Sequence, residues 1–234
     1  MGSDELFKRR NNERIKREEA RRIILPPTWL IVTEGTKTEP NYFSKAVEDF
    51  NKNVPVEYRL KLVIKGMGMN TKSLVKATDL QISIDKYNNK DIPYEKIFVV
   101  FDKDSFKPSD FDKAVEMCKN NGYISIWSNQ AIEFWFLLHF NYIDSKISRK
   151  DYAKKINEYF KAKGYDYNYE KNDKNIYNLL CKYGSLENAR KYAKKIYHIH
   201  ENDKPSASES CTTVYEFFNA LDDRKDELKN ITHF

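Results

Sequence analysis

The sequence predicts an α/β protein in which helices flank a mainly parallel sheet of four strands. Short continuous apolar runs, such as residues 29–33 and 97–101, are typical of strands buried on both faces. Segments with apolar residues at helical spacing separate these runs. Because strands that alternate with helices form parallel sheets with right-handed crossovers, the pattern favours a layered α/β fold.

The first half of the pattern contains two strands and two helices. Two prolines precede the strand at residues 29–33 and would end any helix before it, while Gly35 permits a sharp turn after it. Pro40 suits the first turn of the helix that follows. Residues 58–64 alternate in polarity as a second strand, and residues 71–87 have helical spacing.

The second half repeats the alternation. The run at residues 97–101, rich in branched and aromatic side chains, is the third strand. Pro108 begins a helix that Gly122 ends, residues 123–127 form a fourth strand, and residues 131–140 form a buried helix. In such sheets the functional side chains collect at the carboxyl ends of the strands.

Three regions are predicted along the chain. A basic N-terminal helical arm covers residues 1–27, the α/β core covers residues 28–145, and a helical C-terminal extension covers residues 146–234. The extension is rich in Lys, Tyr and Asn, and we expect it to pack on the core or to cover it as a lid. Its helices are expected near residues 152–160, 174–183, 186–200 and 212–221.

The positive charge is concentrated near the N-terminus. The net charge is +6, and residues 8–22 hold eight Lys or Arg against three Glu. Such a tract favours a polyanion such as nucleic acid. The alternative is a solvated basic arm that has no specific partner.

The sequence also predicts the cellular compartment of the protein. No apolar run approaches the roughly 18 residues of a membrane helix, and the charged N-terminus gives no sign of a secretory signal. Cys118, Cys181 and Cys211 lie too far apart for a CxxC metal site and are odd in number. We therefore expect a cytoplasmic protein with no membrane partner.

Carboxylates follow two of the predicted strands. Asp102 and Asp104 end the third strand, and Glu34 ends the first. If the chain stays extended, Asp102 and Asp104 point to the same side, where a divalent cation would relieve their repulsion. Three converging carboxylates could hold Mg²⁺ or Mn²⁺, and Glu34 could act as a general acid or base. The alternative is that these residues cap turns.

Further charged residues lie near the same strand ends. Glu133, in the first turn of a predicted helix, is either a fourth acidic group of the site or a stabiliser of the helix N-terminus. Cations near the strand ends and in the arm could neutralise phosphates, although each taken alone could be a solvated surface residue. They are Lys37, Lys65, Lys103, Lys107, Arg9, Arg10 and Arg17.

The two acidic motifs together resemble a known catalytic core. Glu34-Gly35 after a strand, followed later by Asp102 and Asp104, is similar to the Toprim core. The segments EGTKTEPNYF (34–43), FDKDSF (101–106) and SNQAIEFWFLLHF (128–140) resemble the RloB family, which is related to the AbiLii abortive-infection proteins of bacteria. The resemblance implies a Toprim-like, Rossmann-like fold. It also implies acid or base duty for Glu34 and metal binding by Asp102 and Asp104.

These observations lead to one functional prediction and two alternatives. We expect a Mg²⁺- or Mn²⁺-dependent nuclease of bacterial anti-phage defence that cleaves nucleic acid, with RNA, tRNA included, preferred over DNA. One alternative is a small Toprim RNA-processing nuclease. The other is a non-catalytic partner or sensor subunit of a defence ATPase, since the resemblance implies an ATPase partner. The sequence leaves open whether the chain forms a homo-oligomer.

Overall fold

The computed structural model describes residues 26–88, 93–104 and 107–232, and the predicted basic arm over residues 1–27 therefore lies almost wholly outside the described residues. The strands are β1 (Thr28–Thr33), β2 (Lys61–Gly66), β3 (Tyr94–Asp102), β4 (Ile124–Asn129) and β5 (Cys211–Thr212). The helices are α1 (Thr38–Asn51), α2 (Thr71–Tyr87), α3 (Pro108–Asn120), α4 (Glu133–Leu138), α5 (Tyr152–Ala162), α6 (Ile176–Tyr183), α7 (Leu186–Ile199) and α8 (Tyr215–Thr232). Short 3₁₀ helices cover Val56–Tyr58 and Arg149–Asp151.

The described strands form one sheet in the order β2-β1-β3-β4-β5. The first four strands are parallel, as the alternation of strands and helices predicts. The prediction of four strands is incomplete, because β5 adds an antiparallel edge beside β4. With two residues, β5 is too short to show any periodicity in the sequence. Thr212, expected at the start of a helix near residues 212–221, lies in this strand, and the helix α8 begins at Tyr215.

The second strand begins later than its polarity pattern suggests. Tyr58, predicted to lie in this strand, belongs to a 3₁₀ helix that follows Pro55. The side-chain NH₂ group of Asn51 donates to the backbone carbonyl of Leu60 at 2.9 Å. The side-chain oxygen of Asn51 accepts from the backbone amide of Leu60 at 3.0 Å. Strand pairing therefore starts only at Lys61.

Helices cover both faces of the sheet. On one face Phe217 of α8 lies 6.0 Å from Trp29 and 5.3 Å from Phe98 between ring centroids, and it also contacts Phe43 of α1. On the other face Phe111 of α3 packs against Phe101 at 5.4 Å. Since Phe98 and Phe101 are three apart in β3, they point to opposite faces. Both faces of the sheet are thus buried, which explains the continuous apolar runs.

The C-terminal helices contribute to the same hydrophobic core as the sheet. Phe218 of α8 stacks on Trp135 of α4 at 5.7 Å, and Tyr177 of α6 meets Tyr42 of α1 at 5.4 Å. This packing brings the segment between α5 and α6 close to the carboxyl ends of β1 and β3. In the described ranges, no helix is long and apolar enough to cross a membrane.

Candidate functional site

The end of β1 is fixed between its two neighbouring strands. The Glu34 amide donates to the Val100 carbonyl of β3 at 2.9 Å. The Glu34 carbonyl accepts from the Gly68 amide, just beyond β2, at 2.9 Å. The hydroxyl of Thr71, the first residue of α2, lies 3.5 Å from the Glu34 carboxylate. Glu34 is therefore held at the carboxyl edge of the sheet, where it was predicted.

Two glycines make this turn possible because neighbouring atoms approach them closely. A Cβ atom on Gly35 would collide with the carboxyl group of Glu39. A Cβ atom on Gly66 would lie 2.7 Å from the Thr36 Cα and 2.8 Å from the Gly35 carbonyl oxygen. The glycine after Glu34 thus leaves room for a second carboxylate from the first turn of α1.

The sequence interpretation missed Glu39. Its side chain is 7% exposed, although an acidic residue in a first helical turn ordinarily stabilises the helix from the surface. The signal that could have found it is its position in the 34–43 motif, directly before the proline of the first turn. Its burial beside Gly35 makes it part of the same acidic group as Glu34.

The structure changes the expected geometry of the Asp-x-Asp motif. The strand ends at Asp102, and Asp104 has a backbone φ of 41°, so the extended conformation does not persist across the motif. The amide of Asp104 donates to the Gln130 carbonyl at 3.1 Å. The carboxylate of Asp104 forms an ion pair with Arg149, which the sequence interpretation had not singled out. The expectation of an extended chain across this motif is therefore wrong, because the backbone turns between the two aspartates.

Glu133 is the first residue of α4 and is 5% exposed. Its carboxylate accepts a hydrogen bond of 3.1 Å from the Tyr169 hydroxyl, and the Lys171 ammonium lies 3.9 Å away. The Thr38 hydroxyl donates to the carbonyl of Lys171, and the Asn41 side chain donates to the next carbonyl at 3.2 Å. These bonds tie the segment around Lys171 to the start of α1, beside the acidic residues.

The carboxyl groups at this edge disfavour one another's ionisation. Burial raises the pKa of Glu34 to about 7, and repulsion from Glu39 and Asp104 adds to the shift. Burial also raises the pKa of Glu39, with a further contribution from Glu133. The pKa of Asp102 is raised well above its usual value by burial and then by Glu39, Glu133 and Glu34. Each of these carboxyl groups is therefore harder to ionise than a carboxyl group in water, and a nearby cation would oppose that effect.

These residues line an open cleft of about 480 Å³ at the carboxyl ends of β1 and β3. All four predicted acidic residues line it, and so does Glu39. Of the residues that the structure describes, three cations line it as well, namely Lys37, Arg149 and Lys171. Arg149 and Lys171 come from the C-terminal region, so the packing of the extension completes the cleft.

The remaining predicted cations have other positions. Lys65 lies in β2 opposite Val32, and Lys103 donates its amide to the Ser128 carbonyl at 3.0 Å. Lys107 is exposed at the start of α3. None of these three lines the cleft among the described residues. The predicted arm residues Arg9, Arg10 and Arg17 lie outside the described part of the chain.

The acidic side chains that line the cleft offer the type of ligand atom that the predicted metal ion binds. Within residues 26–88, 93–104 and 107–232, no three His, Cys, Asp or Glu side chains form a group that could hold an ion as they stand. The available donors are carboxylate oxygens, which Mg²⁺ and Mn²⁺ prefer. Burial is the main cause of the raised pKa values of Glu34 and Asp102, and repulsion from neighbouring carboxylates adds to both shifts. Their chemistry thus fits a hard divalent cation.

A comparison with protein families identifies the family of this chain. A model of the family of RloB-like proteins matches residues 29–221, which span the sheet, the cleft and most of the C-terminal helices. The chain belongs to the RloB-like family. No curated protein and no solved structure matches it significantly. The family match includes every acidic residue of the cleft, together with Arg149 and Lys171.

Proposed function

We propose that this RloB-like protein is a metal-dependent nuclease of bacterial anti-phage defence, with a Toprim-like centre. The observation that supports it best is the cleft itself, where carboxylates from the ends of β1 and β3 lie among cations. Paired carboxylates with a divalent ion can cleave phosphodiester bonds, and adjacent cations can hold the phosphates. Family membership is consistent with a defence-associated protein.

Each group in the cleft has a definite role in this proposal. Asp102, together with Asp104, holds Mg²⁺ or Mn²⁺. Asp104 must then exchange its partner Arg149 for the cation. Glu34, whose pKa is raised to about 7, can both accept and donate a proton near neutral pH, which suits a general acid or base. When bound, the ion polarises a phosphoryl oxygen and lowers the pKa of a bound water.

The cations of the cleft are the proposed phosphate contacts. Arg149 can present two parallel donors to a phosphate, whereas Lys37 and Lys171 act as point charges. Glu133 accepts a hydrogen bond from Tyr169 and lies beside the ammonium group of Lys171. It therefore positions Lys171 at the cleft in addition to supplying negative charge. We propose RNA as the preferred substrate, with tRNA included, because tyrosines and basic residues suit unpaired bases and their phosphates.

Incubation of the purified chain with total RNA and plasmid DNA tests the proposal. Cleavage is expected with Mg²⁺ or Mn²⁺ and not with EDTA. Asp102→Asn and Glu34→Gln should abolish it, whereas the exposed controls Asp223→Asn and Glu57→Gln should cleave like the wild type. Circular dichroism confirms that each variant is folded.

Two results would contradict the proposal. Unchanged cleavage by folded Asp102→Asn would place the chemistry elsewhere. Failure to cleave any nucleic acid, together with calorimetry that shows no ion binding dependent on Asp102 and Asp104, would instead favour a non-catalytic partner of a defence ATPase.

A further inference from the structure

A second cavity adjoins the cleft on the side of the C-terminal helices. It has a volume of about 300 Å³ and is called the side pocket below. Within the described part of the chain, three side chains line both cavities and so form the boundary between them: Glu133, Arg149 and Lys171. The other residues that line the side pocket are Lys150, Tyr152, Ala153 and Tyr169.

Two tyrosines form the buried wall of the side pocket. Tyr152 is 2% exposed and Tyr169 is 8% exposed. Tyr169 is held in place on three sides. Its ring packs on Phe136 at 6.2 Å, its amide donates to the Asn157 side chain at 2.7 Å, and its hydroxyl donates to Glu133. A wall of fixed aromatic rings suits a flat ligand.

The pocket also offers a hydrogen-bond acceptor at its boundary with the cleft. The carboxylate of Glu133, which lines both cavities, can accept a hydrogen bond from a ligand amino group. This feature indicates a ligand that carries polar atoms along its edge.

Positive charge surrounds the side pocket. Lys150 is exposed beside it, and the side chain of Lys171 is 61% exposed at the boundary with the cleft. Arg149 reaches from the boundary to Asp104 on the cleft side. A ligand that occupies both cavities therefore needs an anionic group near the boundary and a flat group with polar edges in the side pocket. A nucleotide combines a phosphate with such a group.

We propose that the side pocket binds one unstacked base of a single-stranded nucleic acid whose phosphate backbone lies in the cleft. The inference rests on the proposed function, because it takes the cleft as the place where the backbone is held. A base inside a duplex cannot enter the pocket without leaving its stack. The protein should therefore select loops and single strands over paired regions.

Fluorescence anisotropy with the full chain in EDTA tests this binding without metal-dependent cleavage of the probe. The probes are a labelled single-stranded RNA of mixed sequence, its fully paired duplex, and an abasic phosphate backbone of the same length. Ala153→Phe fills the side pocket from an exposed position of α5. Ala162→Phe is the matched control, since Ala162 is exposed at the end of the same helix and does not line the side pocket.

The wild type and Ala162→Phe should bind the single-stranded RNA about tenfold more tightly than the abasic backbone or the duplex, because stacking of one base commonly has an effect of that size. Ala153→Phe should lose this preference while it keeps its affinity for the abasic backbone. Equal affinity of the wild type for RNA and the abasic backbone would overturn the inference. So would equal behaviour of the two Phe variants, or no binding of single strands.

Failure of this inference can be separated from failure of the proposed function. Cleavage with Mg²⁺ or Mn²⁺ that is unaffected by Ala153→Phe would overturn the side pocket alone. Base-dependent binding that Ala153→Phe abolishes, in a chain that cleaves nothing, would support the pocket and overturn the nuclease. Thermal unfolding midpoints show whether both variants fold, and the comparison of probes on the wild type needs no variant.

Discussion

Replacement of Glu34 with glutamine should stabilise the fold at pH 8 when no divalent ion is present. In the folded protein the pKa of Glu34 is raised from 4.5 to about 7, mainly by burial. The unfolded chain ionises this carboxyl from pH 4.5 upward, whereas the folded chain keeps its proton until about pH 7. The unfolded state is therefore favoured increasingly as the pH rises through this range, and the full cost is present above pH 7.

The size of the effect follows from the same values. A difference between 4.5 and about 7 corresponds to about 3 kcal/mol if none of it is screened. Glu34 lines an open cleft and is partly exposed to water, so screening reduces the effect to roughly 1–2 kcal/mol. Glutamine has a similar shape and no charge, and should recover this amount at pH 8 and almost nothing at pH 5.

Urea unfolding of the wild type and Glu34→Gln at pH 5 and pH 8, both in EDTA, measures the difference. Glu57→Gln, at an exposed site on the Val56–Tyr58 helix, is the control and should change stability by less than about 0.5 kcal/mol at either pH. The reasoning is refuted if Glu34→Gln is less stable than the wild type at pH 8. It is also refuted if the difference in free energy of unfolding is the same at both pH values.

Three further predictions concern metal binding, acid stability and packing. Mg²⁺ or Mn²⁺ at a hundredfold excess over its dissociation constant should stabilise the wild type by about 2.7 kcal/mol, and folded Asp102→Asn should lose most of this gain in a thermal unfolding assay. The pKa of His139 is lowered by burial to about 4, so the wild type should lose roughly 3 kcal/mol relative to His139→Asn as the pH falls from 7 to 4, measured by urea unfolding. Phe217→Ala should cost about 3–5 kcal/mol in urea, since its ring joins the sheet to α1.

Each of these predictions has an outcome that would contradict it. Equal ion-dependent stabilisation of the wild type and Asp102→Asn would exclude Asp102 as a ligand. If the difference in free energy of unfolding between the wild type and His139→Asn does not change with pH, His139 is protonated as readily in the folded protein as in the unfolded chain. Leu80→Ala, at an exposed position of α2, is the packing control, and a cost equal to that of Phe217→Ala would contradict the burial of Phe217.

The local pattern of apolar residues in the sequence was sufficient to predict most of the sheet. The apolar run before Glu34 and the run before Asp102 have the length and composition typical of strands covered on both faces, and adjacent parallel strands bring their carboxyl ends together. The structure places β1 beside β3, so Glu34 and Asp102 meet as predicted. The helix over residues 71–87 and the helix after Pro108 also agree with the structure, because capping residues and prolines act within a few residues.

Other features of the site could not be read from local pattern. Asp104 leaves the extended conformation because its amide pairs with Gln130, a contact between two strand ends. Arg149 and Lys171 enter the cleft only because the C-terminal region packs beside α1 and α4. The strand β5 depends on pairing with β4 across more than eighty residues of chain. Such contacts are set by the packing of distant segments.

The sequence by itself determined the layered α/β fold and the edge at which Glu34 and Asp102 lie, since both depend on side-chain periodicity and on short-range turn chemistry. Only the tertiary structure decided which charges complete the cleft. Glu39 is buried because Gly35 leaves room for its carboxyl group, and Arg149 opposes Asp104 because the chain turns after β3. The strength and partners of a buried charge depend on distance and burial, and these are fixed only when the whole chain has folded.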